Sequence, residues 1–352
     1  MKIMGTQKIR KIFKVVSIFL FFSVLLSISS CSKDKSTEPT LEEIYTIASQ
    51  MDNLQSLIIV QNDEIIKEEY YGAGGPEILH DVRSVTKSVS SLLIGIAIDK
   101  GYLSSLDQTL GEFIDPLIYA ISPEKAAIKI SHLLTMSSGF KWDEFTSYDI
   151  FNEWILSENQ VQYLLDKPLT KLPGQYFNYN TAASHLLSFI LTKSTGISTH
   201  DFAMEHLFEP LGIDEIEWLV DKQGFNYGGH GLKITSNDMV KIGKLILNNG
   251  VFQGDTIISQ DYLAQSIQSK ISTHGVNDFA PNYGYCWWIG QNENGNFPFA
   301  NGYGGQFIVV ELSLNLIVVT TNKWSGVGIA VSKDQWYRTL DLIINKILPC
   351  FL

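Results

Sequence analysis

Ser84-Val85-Thr86-Lys87, running on through Ser88-Val89-Ser90-Ser91-Leu92-Leu93-Ile94-Gly95-Ile96-Ala97, decides how this chain is read. Val85, Val89, Leu92, Leu93, Ile96 and Ala97 recur at helical spacing, which predicts a helix over residues 84–100 with Ser84 at its N-terminus. Residues three apart share a helix face, so the Lys87 side chain falls one turn from the Ser84 hydroxyl. A serine hydroxyl is a weak nucleophile at neutral pH, and a desolvated lysine beside it can act as its base. The helix start also offers unpaired backbone N–H groups and a positive dipole end, which suit an oxyanion. The stretch reads as the centre of an acyl-transfer site.

The four letters alone do not suffice. Ser-x-x-Lys also occurs at Ser32 with Lys35, in a polar stretch, and at Ser122 with Lys125, around Pro123. Neither precedes a long apolar helical pattern.

The chain has 352 residues, enough for a large core, and a net charge of −11. That charge argues against a nucleic-acid partner, because phosphate backbones select for clustered Lys and Arg. Three cysteines, Cys31, Cys286 and Cys350, contain no Cys-x-x-Cys pair and signal neither zinc nor a disulfide framework. The seven histidines include no His-Glu-x-x-His pair, and no nucleotide-binding glycine loop is present, so neither metal nor cofactor is expected. His132 reads as structural, and His230, between glycines, as a possible neighbour of the cleft. The absence of a Gly-x-Ser-x-Gly elbow disfavours an α/β-hydrolase.

Residues 1–30 read as an export signal. Lys2, Lys8, Arg10, Lys11 and Lys14 form a basic segment before the apolar run 15–26. Ile28-Ser29-Ser30-Cys31 resembles the lipobox of bacterial lipoproteins, implying lipidation of Cys31 and a membrane-anchored, exported protein. Residues 31–45 read as a tether, and 46–352 as the folded domain.

Within that domain, residues 57–60 and 64–71 read as strands around Asn62-Asp63, a hairpin turn. A mostly helical middle follows, about 84–270, including single helices over 151–165 and 200–208. Strand signals return at 283–289, 306–312 and 315–322, before an amphipathic helix over 331–348. Strands at both ends with helices between predict an α+β fold: one antiparallel sheet built from the termini, flanked by terminal helices, beside an all-helical part.

Two further segments bear on function. Pro173-Gly174-Gln175-Tyr176-Phe177-Asn178-Tyr179-Asn180-Thr181 reads as a turn and helix cap that also presents tyrosines. Asn301-Gly302-Tyr303-Gly304-Gly305-Gln306 places glycines at a strand start, where backbone can approach a ligand closely. Taken in order with Ser84-Val85-Thr86-Lys87, they resemble the serine β-lactamase and penicillin-binding-protein superfamily, in its class C-related branch of esterases and amidases. Ser131-His132-Leu133-Leu134-Thr135-Met136-Ser137-Ser138-Gly139, Gly228-Gly229-His230-Gly231-Leu232 and Tyr283-Gly284-Tyr285 with Trp287-Trp288 are similar to stretches in that branch.

The resemblance implies a β-lactamase-like fold with the active site in the cleft between sheet and helices. It implies Ser84 as nucleophile, Lys87 as its proton partner and Tyr179 as the tyrosine of the second motif. Tyr303-Gly304-Gly305 would be the third motif, and the backbone N–H groups of Ser84 and Gln306 the oxyanion hole. Two departures stand out. The second motif, usually Tyr-x-Asn, ends here in Thr181 if Tyr179 leads it, while a literal Tyr176-Phe177-Asn178 lies three residues earlier. The third motif begins with Tyr303 instead of Lys or His, removing a cation often placed for a substrate carboxylate. The expected substrate is therefore a small ester or amide. A β-lactamase or DD-peptidase, a transacylase and a non-catalytic sensor lipoprotein are the alternatives.

Overall fold

The computed structural model describes residues 39–352. The expected export signal, the lipidation of Cys31 and most of the expected tether lie outside the described residues. The folded part begins earlier than the sequence suggests. Thr40 caps helix α1 (Leu41–Ser49) through a reciprocal box with Glu43, and Ile44, Tyr45 and Ala48 are buried in the core. Residues 41–45 thus belong to the fold.

Strands β1 (Leu54–Gln61) and β2 (Glu64–Tyr70) form the expected hairpin, with Asn62 and Asp63 both at positive φ. After β3 (His80–Asp81) comes α2 (Val85–Asp99), then α3 (Pro123–Ala126), α4 (Ile130–Leu134), α5 (Asp149–Leu156) and α6 (Gln160–Asp166). Helices α7 (Thr181–Thr195) and α8 (Thr199–Ala203), strands β4 (Glu217–Trp218) and β5 (Leu232–Ile234), and α9 (Ser236–Leu247) complete the middle. A small hairpin of β6 (Val251–Phe252) and β7 (Asp255–Thr256) leads to α10 (Gln260–Ser266). The chain then returns as β8 (Ile271–Ser272), β9 (Asn282–Tyr283), β10 (Trp288–Asn292), β11 (Gly295–Gly302), β12 (Gln306–Glu311) and β13 (Leu316–Asn322), and α11 (Ile329–Leu342).

The main sheet runs β2-β1-β13-β12-β11-β10-β9-β8, every neighbouring pair antiparallel. The two ends of the sequence meet where β1 pairs with β13. Both faces of this sheet are covered. Phe307 packs toward Trp336 of α11, whereas a Cβ on Gly243 of α9 would lie 3.3 Å from Ile308. Adjacent strand residues point to opposite faces, so α9 and α11 sit on opposite sides. This is why the late strands are continuous apolar runs with little alternation.

Two local readings change, and one helix is more deeply buried than its spacing alone requires. The segment expected as one helix over 151–165 breaks at residues 157–159, where the Asn159 side chain caps a new start by accepting from Gln162 N–H. The segment 283–289 is two short antiparallel strands, with Tyr283 opposite Trp288 and Cys286 at positive φ in the turn. Helix α2 is buried on all sides from Val85 to Ala97. Its serines are satisfied by neighbours: Ser88 donates to Cys286 O at 2.7 Å and Ser90 to Gly228 O at 2.8 Å.

Candidate active site

The turn before α2 sets up Ser84. The Asp81 carboxylate accepts from Arg83 N–H at 2.9 Å, and Arg83 sits at φ +52°, a conformation uncommon for a side chain of its size. The Thr86 hydroxyl donates to Arg83 O at 2.6 Å, closing the first turn. Ser84 occupies the N-cap position, yet its side chain makes no capping hydrogen bond. Its hydroxyl is therefore available to other partners.

Those partners are Lys87 and Tyr179. Lys87 Nζ lies 2.8 Å from Ser84 Oγ, 3.0 Å from Thr181 Oγ1 and 2.8 Å from Gly229 O. The Lys87 side chain is 1% exposed. Burial pushes its pKa from 10.5 down to about 8, with Glu144 pulling upward and Arg83 downward. A depression of that size corresponds to about 3 kcal/mol of disfavoured positive charge. The amine is thus accessible to proton transfer close to neutral pH.

The Tyr179 hydroxyl faces Ser84, and its ring packs against Trp288 and Phe145 at centroid distances of 5.7 and 5.1 Å. Burial, and then Glu144, push the phenol pKa far above its usual value. Tyr176, the alternative in the literal Tyr-x-Asn, is 42% exposed and stacks on His274 away from the serine. The Thr181 hydroxyl, at the position where the motif usually has Asn, takes a hydrogen bond from Lys87.

A cavity of about 560 Å³ opens over Ser84. Its wall is largely aromatic, with Phe145, Tyr148, Tyr179, Trp288, Tyr303 and Trp336 contributing. Trp287, just before β10, is fully buried in the core and is not among the cavity-lining residues. Arg83 also lines the cavity, but its guanidinium stacks over Trp324 at 4.3 Å and lies 3.6 Å from Asp81. His230 lines it too, and burial beside Arg83 and Lys87 keeps its imidazole neutral.

The third segment forms the β11–β12 turn. Gly304 and Gly305 both adopt positive φ, and α11 clamps the turn: Gln335 donates to Gly304 O and Trp336 Nε1 to Asn301 Oδ1 at 2.7 Å. A Cβ on Gly302 would come within 2.3 Å of Val82 O, so only glycine lets β11 lie against the segment leading to Ser84. The Gln306 side chain is tied to Asn322 through bonds of 2.9 and 3.0 Å. Gly305 O accepts from Thr320 and Asn322. The Gln306 N–H, on the same trans peptide, points away from them.

Glu144 was not legible in the sequence. It is 8% exposed, lies 37 residues before Thr181 and binds it through both carboxylate oxygens. A lone acid in Trp142-Asp143-Glu144 carries no spacing signal that separates it from Asp143. Among the described residues no group of three or more His, Cys, Asp or Glu is placed to hold a metal.

An antiparallel sheet beside a helical layer, with a serine at the start of a buried helix and a lysine one turn behind it, defines the β-lactamase-fold class of serine hydrolases. The Beta-lactamase family model matches residues 50–338, and the chain belongs to that family. It is 23% identical over 304 residues to 6-aminohexanoate-dimer hydrolase of Paenarthrobacter ureafaciens, covering 82% of this chain and 75% of that protein. Among solved structures it is similar to the octameric penicillin-binding protein homologue from Pyrococcus abyssi, with TM-score 0.68, 20% identity and coverage of 88% and 78%. It is also similar to the penicillin binding protein from Bacillus halodurans, with TM-score 0.65, 17% identity and coverage of 86% and 100%.

Proposed function

We propose that this protein hydrolyses a small, neutral ester or amide through an acyl-enzyme on Ser84. One observation carries the reading: Ser84 Oγ lies 2.8 Å from the amine of a lysine that burial holds at a pKa of about 8. In the acylation step the Lys87 lone pair takes the Ser84 proton while Oγ bonds to the carbonyl carbon and the carbonyl electron pair moves to oxygen. The backbone N–H groups of Ser84 and Gln306 would hold that oxyanion, a role in which losing one donor typically costs about 2.7–4 kcal/mol. As the intermediate collapses, Tyr179 gives its proton to the leaving group and regains one from the Lys87 ammonium. Water then repeats the sequence on the acyl carbonyl and releases the acid.

The division of roles follows from the two environments. A lysine pushed down toward neutral pH suits a base, whereas a phenol pushed up stays protonated and suits a donor. The relative named for hydrolysis of an aminohexanoate dimer supports the ester or amide class. Tyr303 at the third-motif place and the Asp81 carboxylate 3.6 Å from Arg83 support a neutral substrate, with Lys333 of α11 the one ammonium among the cavity-lining residues.

Treatment with a fluorophosphonate tests the reading. Intact mass should show one adduct, placed on Ser84 by tandem mass spectrometry and lost in Ser84→Ala. Labelling at an unchanged rate in Ser84→Ala would overturn it. We further propose, on the sequence of residues 1–31, that a lipid on Cys31 anchors the protein to a membrane. Metabolic labelling with a radioactive fatty acid should disappear in Cys31→Ser.

A further inference from the structure

We propose that Glu144 is a positioning residue which, acting through the Thr181 hydroxyl, aims the lone pair of neutral Lys87 at Ser84. This rests on the hydrolase reading above and adds a fourth group to it. Its basis is the hydrogen-bond inventory around one hydroxyl.

Glu144 is fixed on three sides. Its Oε2 accepts from Trp142 Nε1 at 2.6 Å and from Thr181 N–H at 2.9 Å, and its Oε1 accepts from the Thr181 hydroxyl at 2.6 Å. Thr181 is the first residue of the 15-residue helix α7, so the carboxylate also sits at a helix N-terminus, where negative charge is favoured. An ionised carboxylate can only accept, and a threonine hydroxyl has a single proton. That proton is therefore directed to Glu144. The Thr181 oxygen can then offer Lys87 only lone pairs, at 3.0 Å.

The same inventory applied to Lys87 fixes its orientation. Gly229 O, at 2.8 Å, is likewise only an acceptor. A neutral amine has two N–H groups and one lone pair. With Thr181 Oγ1 and Gly229 O each taking an N–H, the lone pair is left for the third neighbour, Ser84 Oγ, whose proton it must accept. Without the carboxylate, the Thr181 hydroxyl could turn and donate to the amine, occupying the lone pair that the reaction needs. A glutamine at 144 would favour that wrong state, since keeping its oxygen on Trp142 Nε1 and Thr181 N–H turns its amide N–H₂ toward Thr181 Oγ1.

The other groups facing Lys87 do not do this. Arg83, from the turn before α2, is cationic and disfavours the ammonium; His230 is neutral, and the thiol of Cys286 is pushed up to about 12 and stays protonated. Tyr179 faces Ser84, and Lys87 Nζ lies over its ring at 4.8 Å. Among the described residues, Glu144 is the carboxylate that bonds a Lys87 partner.

A double-mutant cycle on the full chain, read as fluorophosphonate acylation rate against pH, tests the proposal. Glu144→Gln and Thr181→Val should each lower the plateau rate by on the order of 10²-fold, the scale of a lost general base. The double variant should be no slower than Thr181→Val, because no hydroxyl is left to aim. Glu144→Gln should also move the acid limb to lower pH, since removing a carboxylate near Lys87 weakens its hold on a proton. Thr181→Ser, which keeps the hydroxyl, should retain a rate close to that of the unsubstituted chain. Losses that multiply in the double variant, or an acid limb that stays in place in Glu144→Gln, would reduce Glu144 to a helix cap and overturn the proposal. If Glu144→Gln does not fold, the Thr181 pair decides: Thr181→Val as fast as Thr181→Ser overturns it equally. Failure of the unsubstituted chain to label at all would instead overturn the hydrolase reading.

Discussion

Lys87 shows how one residue's surroundings set its chemistry. On an exposed helix face a lysine is a solvated cation; at 1% exposure, with three hydrogen-bonding neighbours, it becomes an amine that can exchange a proton near neutral pH. In the proposed mechanism Lys87 acts as the base in its neutral form, so kcat/KM for a neutral p-nitrophenyl ester should rise tenfold per pH unit up to about 8 and then level. A limb centred well below pH 7 would point to a different base. At the same scale, Tyr179→Phe should slow acylation by on the order of 10²-fold, as it deletes the phenolic hydroxyl and leaves the ring in place. Tyr176→Phe should leave the rate nearly unchanged, because that ring is half-exposed on His274. Equal losses in stopped-flow acylation would show that the ring on His274 reaches the site in solution.

At the scale of elements, the site is assembled where three chain segments are forced close together. The start of α2 supplies Ser84, the start of α7 supplies Thr181, and the loop before β5 supplies the Gly229 carbonyl. The Asn180 side chain accepts from Ala183 N–H at 2.9 Å and so fixes the α7 start, with Tyr179 just before it. The close approach depends on the glycine pair in the loop. A Cβ on Gly229 would meet Thr181 Cγ2 at 2.8 Å and Thr181 O at 2.9 Å. Gly229→Ala should therefore cost about 1–3 kcal/mol of stability, the range for overpacking, and slow acylation by separating Gly229 O from Lys87. Denaturant unfolding and labelling rate measure the two effects. Unchanged values for both would mean that the loop yields without cost.

At the scale of the whole molecule, the proposed substrate preference rests on the aromatic residues that line the cavity over Ser84. Its largest wall residues are rings, and Tyr303 meets Tyr148 edge-on at 6.0 Å where the family usually has a cation. Neutral short-chain esters should exceed nitrocefin in kcat/KM by at least roughly 10²-fold, about 2.7 kcal/mol of differential transition-state binding. Tyr303→Lys should narrow that gap. Efficient nitrocefin turnover by the unsubstituted protein would move the assignment to a β-lactamase.

By itself the sequence determined the strand-rich ends and helical middle, the serine at a helix start with a lysine one turn on, and the three motifs in order. Those are properties of spacing along one helix or one turn, which local backbone geometry imposes. It also marked Thr181 as a departure without saying what the departure does. Only the tertiary structure decided that Tyr179 and not Tyr176 faces Ser84, that α2 is buried on every side, and that Glu144 stands behind Thr181. Each of these depends on which distant segments pack together. The segment between Glu144 and Thr181, 37 positions apart, holds no periodicity that predicts the contact. A carboxylate's role is set by the donors folded around it: Trp142 is a neighbour in sequence, but the Thr181 N–H and hydroxyl reach Glu144 only because the start of α7 packs against its loop.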